Sequence, residues 1–201
     1  MPKVSQEHLD ARRQQILDAA SVCFSSKGFH RTTMQDIVTE SELSAGAIYR
    51  YFTSKDQIIQ AIADDRHVAE WQSIRGALDP DAAAKTFHQL SRMFFEPLAD
   101  PAEKRRRRIG IEMWAEALHS PSILETTREG VNEPLRLFTK VIAKAQEQGD
   151  MGSHVDPEAL GRVMIALFQG FVLQQAWDDV PVEPFLVAID SLLDLMTTRI
   201  A

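Results

Sequence analysis

The chain has 201 residues, enough for one or two domains with a substantial hydrophobic core. Its 44% hydrophobic and 25% charged residues are typical of a soluble globular protein, and no apolar run approaches the roughly 20 residues that span a bilayer. The single cysteine, Cys23, excludes an intrachain disulfide, and the N-terminus has no apolar signal core. We therefore expect a cytoplasmic protein that does not act in a membrane.

The charge is distributed unevenly along the chain. The net charge of −7 argues, for the chain as a whole, against binding to nucleic acid. Residues 1–55, however, carry a net charge of +1, and residues 56–201 carry −8. The N-terminal segment can therefore present cations locally while the acidic remainder keeps the protein soluble.

The pattern of prolines and apolar residues predicts an all-α chain. Proline follows a capping residue four times, which is a signature of helix starts: Asp79-Pro80, Asp100-Pro101, Ser120-Pro121 and Asp156-Pro157. Between these starts apolar residues recur at spacings of three and four, and no segment alternates as a strand would. The pattern predicts about nine helices, over residues 9–27, 34–40, 45–51, 54–78, 81–97, 101–119, 121–148, 157–178 and 182–200.

The second and third predicted helices lie in the stretch "TMQDIVTESELSAGAIYRYF", residues 33–52. Helical periodicity turns Ala47, Ile48 and Tyr51 inward. It leaves a nearly uncharged outer face with a capping serine at its start: Ser44, Ala45, Gly46, Tyr49 and Arg50. A two-turn helix containing glycine is marginal alone, so packing must hold it in place.

Two interpretations of this pattern remain open from the residues alone. A slim helix start would let the backbone approach base edges in the major groove, while Tyr49 and Arg50 supply donors for phosphates. The alternative is an ordinary helical hairpin in a bundle. A phosphate-cradling loop is disfavoured because no strand precedes the segment.

The segment from Arg12 to Ile62 resembles the DNA-binding domain of the tetracycline-repressor (TetR) family. The resemblance covers about a quarter of the chain, and it is carried by an ordered set of residues: Ala19, Ala20, Phe24, Gly28-Phe29, Thr32-Thr33, Ile37, Leu43-Ser44, Gly46, Tyr49, Phe52 and Ser54-Lys55. It implies a helix-turn-helix domain over residues 1–53 and a helical ligand-binding and dimerisation domain over residues 54–201. It also implies a homodimer that places two recognition helices in successive major grooves of an operator.

Roles on the DNA follow from the same resemblance. It implies phosphate anchoring by Thr33, Tyr49 and Lys55. It places four residues nearest the bases: Ser44, Ala45, Gly46 and Arg50. Arg50 stands where relatives often have histidine, so it either reads guanine bidentately or holds a phosphate.

The C-terminal region is rich in aromatic residues and methionines, which by spacing alone indicate a packed core. The resemblance implies that some of them line a cavity for a small, mostly apolar effector: His67, Trp71, Phe94, Trp114, Phe138 and Phe168. It also implies a dimer interface on the last two helices, which carry Val163, Leu167, Gly170, Gln174, Leu186, Ile189, Leu192, Leu193 and Met196.

An enzyme and a structural scaffold are the alternatives. Glu116 and His119 have the spacing of a metal-binding helix motif, but a di-iron bundle would need further inward glutamates. No other catalytic motif is present, and a scaffold would leave the TetR-like residues unexplained. We therefore expect a non-enzymatic transcriptional repressor without cofactor or metal. A small molecule would release it from a palindromic operator by moving the fourth helix.

Overall fold

The computed structural model of the chain describes residues 6–75 and 83–197, and regular structure within these ranges is helical, as the sequence predicts. The helices are α1 Gln6–Lys27, α2 Met34–Ser41, α3 Ala45–Tyr49, α4 Lys55–Arg75, α5 Ala83–Phe95, α6 Pro101–Glu116, α7 Pro121–Glu147, α8 Pro157–Trp177 and α9 Val182–Thr197, with a 3-10 turn at Glu96–Ala99. Among the helices of the described residues, none combines the length and the hydropathy that a membrane span requires.

Three of the four proline signals mark the first residue of a helix, at Pro101, Pro121 and Pro157. At the last of these, the Asp156 carboxylate accepts a hydrogen bond of 2.8 Å from the Ala159 amide and so caps α8. The fourth signal, Asp79-Pro80, lies outside the described residues. Local capping chemistry therefore sets these helix starts before any tertiary contact is considered.

Contacts divide the chain into two units, each built from two stretches of sequence. Unit 1 comprises Met1–Val68 and Arg105–Thr127, and unit 2 comprises Ala69–Lys104 and Arg128–Ala201. Because each unit contains two separate segments of the sequence, these units do not test a single domain boundary. The predicted boundary at residue 53 therefore stays a prediction.

Unit 1 is held together by an aliphatic and aromatic core in which Ile16, Ile37, Ile48 and Ile58 are fully buried. Cys23 belongs to this core, and burial raises the pKa of its thiol, as expected of a small packed hydrophobe. Polar contacts fix the helices at the rim of this core. The Gln15 amide donates to the Ser41 carbonyl at 2.7 Å, and Arg13 pairs with Asp65 at 2.6 Å.

Unit 2 is organised around phenylalanine rings that α5, α7, α8 and α9 contribute. The closest pair is Phe171 and Phe185, which stack with ring centroids 3.8 Å apart. Polar contacts join α5 to α9 at the edge of this core: Arg92 forms an ion pair with Asp190, and the His88 imidazole lies 3.1 Å from the Asp194 carboxylate. Apolar packing therefore holds the helices of unit 2, and these polar contacts set the relative position of α5 and α9.

Candidate nucleic-acid interface

The start of α2 is fixed by a capping box at Thr33. Its hydroxyl accepts a hydrogen bond from the Asp36 amide at 3.1 Å, and the Asp36 carboxylate accepts one from the Thr33 amide at 2.8 Å. The Thr33 hydroxyl also donates to Asp36 at 2.8 Å. Thr33, which the resemblance assigns to a phosphate contact, is exposed to solvent. Within the chain its side chain caps α2.

Asp36 in turn binds a lysine from α1. The Lys27 ammonium lies 2.7 Å from the Asp36 carboxylate, and together with the Thr33 hydrogen bonds it holds the pKa of that carboxyl well below its usual range. The same bond raises the pKa of Lys27. The cap and the ion pair together set the direction in which α2 leaves the preceding turn.

α3 begins at a serine cap and is anchored by one side chain. The Ser44 hydroxyl accepts from the Ala47 amide at 3.2 Å, and Ile48 is 0% exposed beneath the helix. All five residues expected on the outer face are exposed: Ser44, Ala45, Gly46, Tyr49 and Arg50. The side chains of Tyr49 and Arg50 make no hydrogen bond in the described part of the chain, so their donors are available to a partner.

Gly46 lies on this face with open space around it. A Cβ added there would meet no heavy atom within 4 Å, and the residue has no left-handed backbone that would require glycine. Neither packing within the protein nor local conformation therefore accounts for a glycine at this position. Because glycine has no side chain, the backbone at the start of α3 is exposed to solvent at Gly46.

Lys55 lies at the start of α4 and faces the turn between α1 and α2. Its ammonium donates to the Phe29 carbonyl at 2.8 Å and lies 4.6 Å from the centroid of the Phe29 ring. An ammonium has three donors, so this binding leaves Lys55 capacity for a phosphate. These two contacts hold the half-buried side chain against the turn.

The Glu116–His119 metal motif is not formed. α6 ends at Glu116, and His119 lies in the turn that follows. Glu116 faces His30 instead, with 3.0 Å between the carboxylate and the imidazole nitrogen. The described residues contain no group of three or more His, Cys, Asp or Glu placed to hold a metal ion.

Sequence reasoning missed a second α6 carboxylate at this turn. Glu112 accepts a hydrogen bond of 2.9 Å from the Phe29 backbone amide. Local sequence patterns cannot predict this contact, because the two residues are 83 positions apart. The only local sign is Gly28, which directly follows the last residue of α1.

Three of the predicted effector residues come together in unit 2. The Phe94 ring lies 5.2 Å from that of Phe138 and 5.9 Å from that of Phe168, centroid to centroid. Phe138 is buried, whereas Phe94 and Phe168 are half-buried and present ring surface. Trp114 is half-buried on α6 in unit 1. The side chains of His67 and Trp71 lie outside the described residues.

Exposed apolar residues are concentrated on α8 and α9. Five of the eight large exposed hydrophobic residues of the described chain lie there: Val163, Trp177, Val187, Leu192 and Leu195. Leu186, Ile189 and Leu193 of the expected interface are instead buried within the chain itself. The helical phase of α9 explains the difference, since these three form its inner stripe. The side chain of Met196 lies outside the described residues.

These features define a helix-turn-helix protein whose second short helix presents a bare face to the outside. Family comparison agrees with that description: the model of the N-terminal domain of bacterial regulatory proteins of the TetR family matches residues 16–62. The model of the BetI-type transcriptional repressor C-terminal domain matches residues 87–197, more than half of the chain. The chain belongs to the TetR family of bacterial transcriptional regulators.

Individual relatives extend this comparison. The HTH-type transcriptional regulator YfiR of Bacillus subtilis is 38% identical over 91 residues, which span 39% of this chain and 44% of YfiR. The structure of GusR from Salmonella enterica is 24% identical and has a TM-score of 0.72, covering 98% of this chain and 99% of that chain. A complex of SmeT with triclosan is 23% identical with a TM-score of 0.69, covering 84% and 82%. The two structures share the fold.

Proposed function

We propose that the protein is a DNA-binding transcriptional repressor that reads an operator with α3 and is released from it by a small, mostly apolar effector. The observation that carries the proposal is the exposed face of α3, anchored by the fully buried Ile48 while Gly46 has open space. A rigid helix with a bare start and unused donors meets the requirements of major-groove entry. Such a regulator works in the cytoplasm.

The side chains divide into two groups on the DNA. Tyr49, Thr33 and Lys55 hold phosphates, which fixes the register of α3 without reading sequence. For Thr33 this requires the hydroxyl to turn from Asp36 to the phosphate, because it has a single O–H donor. The residues at the base edges are Ser44, Ala45, Gly46 and Arg50.

Selection of bound duplexes from a random library tests the proposal, because the library contains every short operator sequence and the protein itself chooses among them. We expect a palindrome whose half-sites match two recognition helices about 34–36 Å apart. Tyr49→Ala should weaken binding to selected and scrambled DNA alike, whereas Arg50→Ala should change the preference among operators.

Arg136→Ala is the matched control for loss of a cation. Arg136 lies on α7, its side chain is 73% exposed, and it forms an ion pair with Glu133 on the same helix. The control should leave both affinity and preference unchanged. Equal losses on selected and scrambled DNA for both Tyr49→Ala and Arg50→Ala would contradict the division of roles, and recovery of no preferred sequence would contradict the function.

The dimer that this geometry needs is proposed to form through α8 and α9. Val187, Leu192 and Leu195 are more than half exposed in the single chain, and Gly170 on α8 has no heavy atom near an added Cβ. Apolar surface of this kind is typical of an interface. Leu192→Glu should convert the dimer to monomers in sedimentation analysis and reduce operator binding with it, whereas unchanged sedimentation would contradict this interface.

The effector site is proposed to lie in unit 2, at the half-buried rings of Phe94 and Phe168 with Phe138 behind them. The structure of SmeT, which shares this fold, is a complex with triclosan, and this agrees with a small-molecule site in a protein of this fold. Phe168→Ala should weaken effector binding while leaving operator binding intact.

Linkage provides the test of the switch itself. If the effector favours a conformation that does not bind DNA, then saturating operator must weaken effector binding by the same factor as effector weakens operator binding. Isothermal titration with and without operator measures this factor. Equal effector affinity in both titrations would exclude the release mechanism.

A further inference from the structure

The turn between α1 and α2 lies against two carboxylates of α6, one of which accepts a hydrogen bond from it. Glu112 accepts a hydrogen bond from the Phe29 amide at 2.9 Å, and one helical turn later Glu116 lies 3.0 Å from the His30 imidazole. Two glutamates four residues apart on one helix thus contact two consecutive residues of the turn. Phe29 itself is 3% exposed, so its amide has little access to water as an alternative partner.

Gly28 makes this approach possible in two ways. Its φ of +79° is a left-handed conformation that favours glycine and aims the next amide toward α6. A Cβ at this position would lie 3.3 Å and 3.4 Å from the two carboxylate oxygens of Glu112. A side chain here would therefore crowd the acceptor of the Phe29 amide.

The opposite side of the same residue binds Lys55. The Phe29 carbonyl accepts from the Lys55 ammonium at 2.8 Å, and the ammonium lies 4.6 Å from the centroid of the Phe29 ring. Both backbone polar groups of Phe29 are therefore bound by charged side chains, one from α6 and one from α4. Charge-assisted bonds of this kind are stronger than neutral ones, so they fix the turn firmly.

The turn continues directly into the first cap of the DNA-binding helices. The buried Thr32 hydroxyl donates to the Gly28 carbonyl at 2.8 Å, and Thr33 then caps α2. A shift of the Phe29 peptide would therefore move the start of α2, and it would also move the carbonyl that accepts the hydrogen bond from Lys55.

We propose that Glu112 is a positioning residue for DNA binding. By accepting the hydrogen bond from the Phe29 amide, Glu112 fixes the position of the turn whose carbonyl binds Lys55. It thereby positions the Lys55 ammonium to bind a DNA phosphate. The inference rests on the proposed function, in which Lys55 is a phosphate anchor. It adds a residue on α6, outside the helix-turn-helix sequence, to the set that determines operator affinity.

Operator affinity of the full-length protein, measured by fluorescence anisotropy on the selected palindrome at several salt concentrations, tests this role. Glu112→Ala should weaken binding about tenfold or more. It should also reduce the slope of log affinity against log salt by about one per subunit, because each phosphate contact contributes about 0.9 to that slope. Glu112→Gln keeps an oxygen acceptor for the Phe29 amide and should stay within about threefold of wild type.

Two further variants separate positioning from folding. Glu112→Asp keeps the charge but withdraws it by one methylene, so it should lose affinity with the same fall in slope while perturbing the fold less than alanine. Glu147→Ala removes an exposed glutamate of α7, 69% exposed and paired with Lys144, and should change neither affinity nor slope.

Unchanged affinity and slope in the alanine and aspartate variants would overturn the inference. An affinity loss with an unchanged slope would also overturn it, because that result indicates a role in stability alone. If the wild type binds no DNA in the selection, then the proposed function fails and this inference fails with it. Wild-type binding with insensitive Glu112 variants would instead refute the inference alone.

Discussion

Gly46 offers a substitution for which folding and DNA binding are expected to respond in opposite directions. Glycine in a helix costs about 0.5–1 kcal/mol relative to alanine, because the unfolded chain has more freedom to lose. A Cβ at Gly46 meets no atom of the protein within 4 Å. Gly46→Ala should therefore stabilise the free protein by about 0.5–1 kcal/mol, which raises the Tm of a chain this size by about 1–4 °C.

The same methyl group should obstruct the operator. If the start of α3 lies against base edges, the added carbon enters a packed interface, where an extra methyl group costs about 1–3 kcal/mol. Two recognition helices engage one palindrome, so the total is about 2–6 kcal/mol, and affinity should fall by about 30-fold or more.

Thermal unfolding and anisotropy on one protein preparation measure both effects. A higher Tm together with unchanged sedimentation would show that folding and dimerisation survive, so the lost affinity would belong to the DNA contact. Wild-type operator affinity of Gly46→Ala would refute the argument, because it would mean that no DNA group approaches this backbone. A lower Tm would refute the interpretation of the open space around Gly46.

The caps and glycines give three more predictions. The lowered pKa of Asp36 makes its contribution to stability complete above about pH 4 and lost as the pH falls further, so the Tm difference between wild type and Asp36→Asn should shrink between about pH 4 and about pH 2.5. A constant difference over that range would contradict the ion pair with Lys27. Gly28→Ala should lower the free energy of unfolding in urea by about 1–2 kcal/mol, because alanine disfavours a φ of +79°, and an unchanged unfolding midpoint would refute that strain. Gly170→Ala should stabilise the isolated chain by about 0.5–1 kcal/mol and yet weaken the dimer in sedimentation equilibrium. An unchanged dimerisation constant would show that no partner backbone lies close to Gly170.

Local chemistry made most of the fold predictable. Capping oxygens followed by proline mark helix starts at Pro101, Pro121 and Pro157, because the cap and the fixed φ of proline act within one turn. The inward and outward faces of α3 were predictable for a similar reason, since Ile48 and Tyr49 are separated by helical geometry alone. The outer face of α3 could therefore be identified before its surroundings were known.

Long-range contacts could not be predicted in this way. The bond between Glu112 and the Phe29 amide joins residues 83 positions apart, and nothing in the spacing of either residue signals the other. Leu186 and Ile189 were assigned to an interface because an apolar stripe does not reveal whether its partner is the same chain or another. The geometry of Asp36 was likewise needed to show that the capping role of Thr33 competes with phosphate binding.

Methylation interference on the selected operator shows whether α3 lies in the major groove. Methylation of guanine N7 puts a methyl group in the major groove, where guanine presents N7 and O6 acceptors. If α3 lies in the major groove, methylation within each half-site should block binding, in two patches separated by one helical turn of about 34–36 Å. Binding that tolerates every N7 methyl group, yet is blocked by a ligand of the minor groove, would contradict this placement.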